Sequence, residues 1–421
     1  MKKKFLFIVF MMLALTASAS VKIGDFYYEL NAETQTAELV AKRGKYWFYK
    51  EVVIPSSVTY EGIDYNVTSI ANAAFEECYM TSVTISEGVT KIGNGAFVRC
   101  ANLTSVTIPN SVTTIGNSAF YRCSALPSII IPDGVMTIGE ETFDGCTELT
   151  SVSLGSGLTS IGKWAFHAVG ITSITLPQSL KVISTRAFES CQGLTEVVIP
   201  DGVTTIGWRA FGDCQNLTTV TVGKGIETMD AGTFEASDNI RNVSIHCNDF
   251  IEEDHTLYEG IGHVFESVGI FVLDEGLTRL GASAFSGCYV YSLTIPSSVA
   301  SIGANAFCYC FSLADIYCYA EQVPETASNA FNVSNYTEAT LHVPANAVEA
   351  YKSAELWKNF GSIVALTEED PKPTAISTME YAPTTYNKAI YDLQGHQLAQ
   401  PKKGLNIIRM SDGTTKKVII K

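Results

Sequence analysis

The sequence predicts a β-solenoid: parallel strands on one face of a stack of short units, brief helical or 3₁₀ turns on the other, a β cap in front and a small all-β module behind. Three observations carry this. A phenylalanine following a small residue recurs at Phe75, Phe97, Phe120, Phe143, Phe166, Phe188, Phe211, Phe234, Phe285, Phe307 and Phe331, at intervals of 22 to 24 residues broken once by a gap of 51. A fixed period of this size marks a repeat array, in which each unit buries its apolar face only against its neighbours. Within each unit, apolar and small polar residues alternate as in a half-buried strand. The hydrophobic share of 46% supplies a continuous core.

The repeats occupy 53–345. Their unit reads Leu-x-x-Val-x-Ile-Pro-x-x-Val-x-x-Ile-Gly-x-x-Ala-Phe-x-x-Cys, as in the stretch from Leu103 to Ala125. Val106 and Ile108 alternate with Ser105 and Thr107, so one strand face is apolar. Pro109 has no amide hydrogen for a ladder and ends the strand; Asn110 and Ser111 form the corner. The segment from Asn117 to Cys123 is too short for more than one helical or 3₁₀ turn. The 51-residue gap resolves into two units when Phe265 is a degenerate marker and 247–263 an insertion, which makes twelve units. Twelve rungs at about 4.8 Å give a solenoid roughly 58 Å long.

The flanks follow from the need to cover the end rungs. Residues 1–19, with Lys2, Lys3 and Lys4, an apolar stretch from Phe5 to Leu15 and Ala17-Ser18-Ala19, have the form of a secretory signal peptide. That apolar stretch is shorter than the about 20 residues of a membrane span, and no later one reaches that length, so no membrane-spanning segment is expected. Residues 20–52 alternate apolar and polar and read as a β cap. Residues 346–366 carry Val348, Tyr351, Leu356 and Trp357 at helical spacing, with Asn346 placed to cap and Gly361 to stop a helix. A charged, proline-bearing linker at 367–375 leads to a β module at 376–421.

Charge narrows the partners. The net charge of −15 becomes −18 when the three lysines of 1–19 are removed. An anionic surface repels phosphate, so nucleic acid is not an expected partner. Eleven cysteines in an exported chain invite disulfides or a metal. Eight of them, Cys78, Cys100, Cys123, Cys146, Cys191, Cys214, Cys288 and Cys310, follow a marker phenylalanine by three and stack in one column, pointing the same way. A column does not converge on a metal, and its spacing of about 4.8 Å exceeds the Cβ separation of about 3.8 Å that a disulfide prefers. They read as buried thiols. Cys247, Cys308 and Cys318 break the register, and a bridge between the last two stays open.

His255 and His263 lie beside Glu252, Glu253 and Asp254 in the insertion, which reads as a solvated loop without zinc-ligand spacing. Neither a Gly-x-Ser-x-Gly elbow, nor a phosphate loop, nor a dinucleotide fingerprint occurs. Hence no catalytic residue, metal or cofactor is assigned.

The two halves of the unit, Leu-x-x-Val-x-Ile-Pro and Ile-Gly-x-x-Ala-Phe-x-x-Cys, resemble the BspA-like leucine-rich repeats of exported and surface bacterial proteins. The resemblance implies a right-handed leucine-rich-repeat solenoid and, for some members, adhesion to host or bacterial surfaces. The tail from Ile376 to Lys421 is similar to type IX secretion sorting domains, which implies an outer-membrane export machinery as a partner; a plain structural tail is the alternative.

The outward strand positions Ser105, Thr107, Ser151, Ser153, Ser173, Thr175, Thr219 and Thr221 form a polar carpet without the aromatic and arginine anchors typical of tight interfaces. Such anchors gather near the last rungs, where Tyr289, Tyr291, Tyr309, Phe311, Tyr317 and Tyr319 are the candidate binding residues. The expected function is therefore non-enzymatic: an extended surface, secreted or at the cell surface, for an unknown protein or glycan ligand. An enzyme or enzyme accessory using the insertion, a purely structural surface component, and a periplasmic location are the alternatives.

Overall fold

A computed structural model describes residues 20–41, 51–256, 260–265 and 268–373, together with the backbone of 389–391, 397–398, 404–409 and 415–420. The signal-peptide stretch 1–19 and residues 42–50 of the expected cap lie outside the described residues. The chain forms two compact units, residues 1–373 and 374–421.

The first unit begins with an antiparallel meander, β1 (Val21–Ile23), β2 (Phe26–Asn31) and β3 (Thr36–Val40). The side chain of Asn31 accepts the amides of Glu33 and Thr34, which closes the turn between β2 and β3. β3 then runs parallel to Ile63–Ile70 and so starts the stack. Tyr28, Ala37 and Leu39 are buried, and Phe26 sets its ring edge-on to Phe75, with centroids 6.0 Å apart.

The rungs are then joined on three sides, although the first ladder is broken between Ser105–Thr107 and Ser128–Ile130 and again at 171–176, where no strand forms. The Val-x-Ile strands pair in parallel, with Ser82 against Ser105, Ser128 against Ser151 and Thr219 against Asn242. The Thr-Ile pairs before the glycine form a second parallel ladder, with Thr114 against Lys91 and Ile138 against Ile161. Glycine follows because the corners nearly touch: a Cβ on Gly116 would lie 2.6 Å from the backbone nitrogen of Asn94.

On the third side the expected helical or 3₁₀ turn is replaced by successive hydrogen-bonded turns. Residues two before and two after the marker phenylalanine have left-handed backbones, as at Ser118 and Arg122 around Phe120, or Arg186 and Ser190 around Phe188. The amides of Ser118, Phe120 and Arg122 reach the carbonyls of Glu140, Thr142 and Asp144 on the next rung at 2.7 to 2.9 Å. The intervening amides of Ala119, Tyr121 and Cys123 bond back three residues to Gly116, Ser118 and Phe120. Alternate amides thus point along the stack, which a helix cannot provide because its amides point along its own axis.

The core lies between the ladders. Nine phenylalanine rings from Phe75 to Phe265 stack face to face with centroids 4.6 to 5.5 Å apart, and Phe285, Phe307 and Phe331 resume the column. Phe265 is therefore a true marker. Between the two runs Phe271 turns its edge to both Phe265 and Phe285. The second ladder is interrupted at the same place, ending at Thr228–Met229 and resuming at Arg279–Leu280.

The insertion causes this break, and it is not the solvated loop expected. Helix α1 (Asn248–Glu252) buries Phe250 and Ile251. The carbonyl of Ile251 accepts the amide of Gly281, as Ile92 does from Gly116 in a regular rung. Ile251 thus takes the place of the second-ladder isoleucine, and the extra residues lie between it and Phe265.

At the far end Thr340–Val343 pairs with Ser362–Ala365, the last strand of the first ladder. Helix α2 spans only Val348–Ser353; its N-cap residue is Ala347, with no side-chain cap bond, so Asn346 does not cap it. A left-handed Leu356 turns the chain and a 3₁₀ turn, Trp357–Asn359, follows. Trp357 is thereby buried edge-on to Phe331 at 5.7 Å, donating its indole N–H to the Thr326 hydroxyl at 3.0 Å. Among the described residues no helix is long and apolar enough to cross a membrane.

The second unit holds Ala389–Tyr391, Gln397–Leu398, Gly404–Arg409 and Thr415–Ile420 in one antiparallel sheet, with Ala389–Tyr391 paired to both Gln397–Leu398 and Gly404–Arg409.

Candidate recognition surface

The strand faces carry the expected polar carpet, interrupted by the exposed Val53, Ile130 and Val198. The turn side differs, because its left-handed positions set side chains at the surface while Ala and Phe between them stay in the core. Where units are aligned on their phenylalanines, Trp164, Arg186 and Arg209 occupy the same position on three consecutive rungs, and Trp208 sits one residue earlier. Their side chains interleave along the stack. Arg186 lies 5.7 Å from the Trp164 ring centre and 4.6 Å from that of Trp208, and Lys163 lies 3.9 Å over Trp164. Such cation–π contacts hold large flat side chains in fixed poses.

Acids one residue after the phenylalanine anchor the strip from below. Glu189, buried, accepts from Arg209 at 2.5 Å and lies 3.6 Å from Arg186. Glu235 has both oxygens engaged, one by Arg209 and one by the Trp208 indole N–H at 3.1 Å. In the same column His167 meets Asp144 at 2.7 Å, and that hydrogen bond raises the imidazole pKa above its ordinary value.

Beyond Trp208 the strip opens into a groove of about 730 Å³ lined by Trp208, Ala231, Gly232, Glu235, Gly262, His263, Gly287, Tyr289, Tyr309 and Phe311. It lies over the irregular rung. Gly232 and Gly287, both left-handed, stand where Arg209 and Tyr309 stand on other rungs, so the floor there is backbone on which neighbouring side chains pack, a Cβ on Gly232 lying 3.1 Å from the Trp208 indole. The His263 ring packs on Gly287, where an added Cβ would lie 2.9 Å from it. Tyr309 and Phe311 form the far wall with ring centres 6.1 Å apart, and both are exposed, as is Tyr289.

The six aromatic candidates therefore divide. Tyr289, Tyr309 and Phe311 line the groove. Tyr291 is exposed at 59% on the strand Val290–Ile295 and does not line it. Tyr317 and Tyr319 are half-buried: Tyr317 stacks on His342 at 4.4 Å, and Tyr319 donates to the Pro371 carbonyl at 3.1 Å. His342 itself lies 3.1 Å from Asp315 and 3.9 Å from Asp370. These groups hold the segment after the last strand against the solenoid. Sequence reasoning missed Trp164, Arg186, Trp208, Arg209 and Glu235, and it placed His263, which lines the groove, in a solvated loop. The signal for Trp164, Arg186 and Arg209 was their shared offset from the marker phenylalanine, with Trp208 one residue before it.

All eleven cysteines are free and buried, including Cys308 and Cys318, which form no bridge. Six of the eight thiols in the column, those of Cys100, Cys123, Cys146, Cys191, Cys214 and Cys310, donate to the carbonyl of the preceding rung's phenylalanine at 3.1 to 3.2 Å. Burial pushes the pKa values of Cys100, Cys146 and Cys310 up to about 12. His255 bonds the Phe250 carbonyl at 2.7 Å. Among the described residues no group of three or more His, Cys, Asp or Glu is arranged to hold a metal ion.

The sequence pattern of the BspA type Leucine rich repeat region, in six copies, matches residues 41–168, 68–195, 113–241 and 265–355. No curated protein matches significantly. Similar solved structures include a leucine rich cell surface protein from Faecalibacterium prausnitzii, 25% identical with 71% of this chain and 94% of that one covered, at a TM-score of 0.40. A leucine-rich repeat protein from Bacteroides ovatus is 24% identical, with 85% and 100% covered and a TM-score of 0.42. One from Bacteroides capillosus is 32% identical over 32% of this chain and 97% of that one, at 0.27. With the matched pattern running over residues 41–241 and 265–355, well over half of its length, the chain belongs to the BspA-type leucine-rich repeat family.

Proposed function

We propose that this repeat protein is exported and acts without catalysis, recognising a protein or glycan at a cell surface through the turn side of its solenoid. The observation that carries the reading is the groove in which Tyr289, Tyr309 and Phe311 stand exposed opposite Trp208. Aromatic side chains and arginine dominate binding energy at interfaces, and Trp208, Arg186 and Arg209 beside the groove are pre-positioned by cation–π and ionic contacts. The competing enzymatic reading draws on His263 and Glu235, which line the same groove. Both oxygens of Glu235 are already held by Arg209 and Trp208, which suits a fixed wall better than an acid or base.

The test is binding of the purified protein to panels of host matrix proteins, bacterial surfaces and glycans, beside the variant Tyr289→Ala/Tyr309→Ala/Phe311→Ala. Binding lost in the variant supports the reading; binding equal in both removes the groove from it. Protease digestion of intact cells addresses location, since complete protection of the protein would contradict surface display.

A further inference from the structure

We propose that the groove between Trp208 and Tyr309 takes a short neutral oligosaccharide; this rests on the recognition role above and names its ligand class. Four features of the site point there. Its volume, about 730 Å³, falls within the range of roughly 300–1,000 Å³ typical of small-ligand sites. Its walls are aromatic, and the C–H faces of pyranose rings pack on aromatic faces while their hydroxyl groups stay free at the rim. Residues whose polar groups suit hydroxyls stand among these walls: Tyr289 and Tyr309. The charges nearby cancel within the protein, since Arg209 is held between Glu189 and Glu235 and Arg186 faces Glu189.

This last point separates ligand classes. A sulfated or sialylated glycan would meet a chain of net charge −15 with the nearest arginines already paired. An extended peptide would need backbone partners, as when it adds to a free sheet edge. The floor supplies few: the Gly232 amide is donated to the His263 carbonyl at 2.7 Å and the Gly287 amide to the Cys308 carbonyl at 2.7 Å. A neutral sugar needs only the side chains.

The site also has a structural origin. Most left-handed positions carry their own side chains, Gly95 and Gly145 on regular rungs excepted; at Gly232 and Gly287 the Trp208 and His263 rings of other rungs pack on the backbone instead, next to the rung distorted by the insertion. The depression exists because two glycines and one extended rung coincide.

The experiment is an array of neutral, sialylated and sulfated oligosaccharides, with immobilised extended peptides and proteins alongside, probed with the wild-type protein and with Tyr309→Ala, Trp208→Ala and, as a control far from the groove, Tyr79→Ala. The expected result is binding to a subset of neutral oligosaccharides, weakened roughly tenfold by Tyr309→Ala and by Trp208→Ala, a loss of about 1.4 kcal/mol, and unchanged by Tyr79→Ala. Circular dichroism of each variant establishes that it is folded. Neutral glycans that bind equally to all variants, binding confined to acidic glycans or peptides, or no glycan bound at all would each overturn the inference. A protein ligand lost with Tyr309→Ala in the absence of glycan binding would overturn it too, while leaving the recognition role standing.

Discussion

The thiol of Cys123 donates to the carbonyl of Phe97, 3.1 Å away on the preceding rung. The same carbonyl accepts the amide of Cys100 at 3.2 Å, so the cysteine column closes the hydrogen-bond account of the turn ladder. Ser237, at the equivalent position of its rung, does the same job toward Phe211 at 2.8 Å. Cys123→Ser should therefore cost little, whereas Cys123→Ala should destabilise by about 1 kcal/mol or somewhat more, from the lost donor and the lost volume. Urea titration of both variants measures the difference, and equal midpoints would mean that the thiol is only filler. Alkylation of the native protein at neutral pH should be slow and should accelerate in denaturant.

The same column predicts alkaline sensitivity. Thiols of an unfolded chain ionise near pH 8.5, while burial holds those of Cys100, Cys146 and Cys310 near 12 in the fold. Folded-state pKa values above the unfolded ones mean that this stability is complete below about pH 8.5 and drains as pH rises toward 12, by about 1.4 kcal/mol per thiol per pH unit. Thermal melts between pH 7 and 11 should show a steep fall above pH 9; a flat profile would count against the buried column.

Phe166 stacks on Phe143 and Phe188 with both centroid distances at 5.2 Å. Phe166→Ala should cost about 3–5 kcal/mol as a cavity within the column. Trp164→Ala, two residues away on the surface, should cost far less, and chemical denaturation of the pair separates core from display.

Arg209 lies over the buried carboxylate of Glu189. Arg209→Ala should destabilise by about 2–3 kcal/mol by leaving that charge underpaired, short of the full penalty because Arg186 remains nearby. Adding Glu189→Gln should recover part of the loss, and a double-mutant cycle tests this directly.

Gly287→Ala places a side chain on a left-handed backbone at a cost of about 1–2 kcal/mol, and its Cβ would meet the His263 ring at 2.9 Å. The expected outcome is a shifted His263 imidazole resonance with the other histidine signals unmoved.

The stack was legible from the period alone, because one unit solved the folding problem for every copy. Even Phe265, without its usual neighbours, was recoverable from the arithmetic of the gap. The turn side was less so. A left-handed residue leaves no mark when Ser118, Glu141, Trp164 or Arg186 adopts it, since propensity assigns that backbone to glycine and tertiary hydrogen bonds impose it here. The insertion has the sequence character of a loop because its acids outweigh Phe250 and Ile251, which dock where the second ladder is interrupted, a place that only the three-dimensional stack defines. The groove leaves no local mark for a related reason: Trp208 and Tyr309 are about a hundred residues apart along the chain, whereas the tyrosines clustered in sequence include Tyr317 and Tyr319, which do not line it.

The position two residues before the marker phenylalanine is filled by Ala73, Gly95, Ser118, Glu141, Trp164, Arg186, Arg209, Gly232, Ser283 and Asn305 on one shared backbone conformation. The stack is held by what lies between these residues, so their identity is free of the core. A protein built this way can change what it touches one rung at a time, by substitution at a single column, without renegotiating its fold.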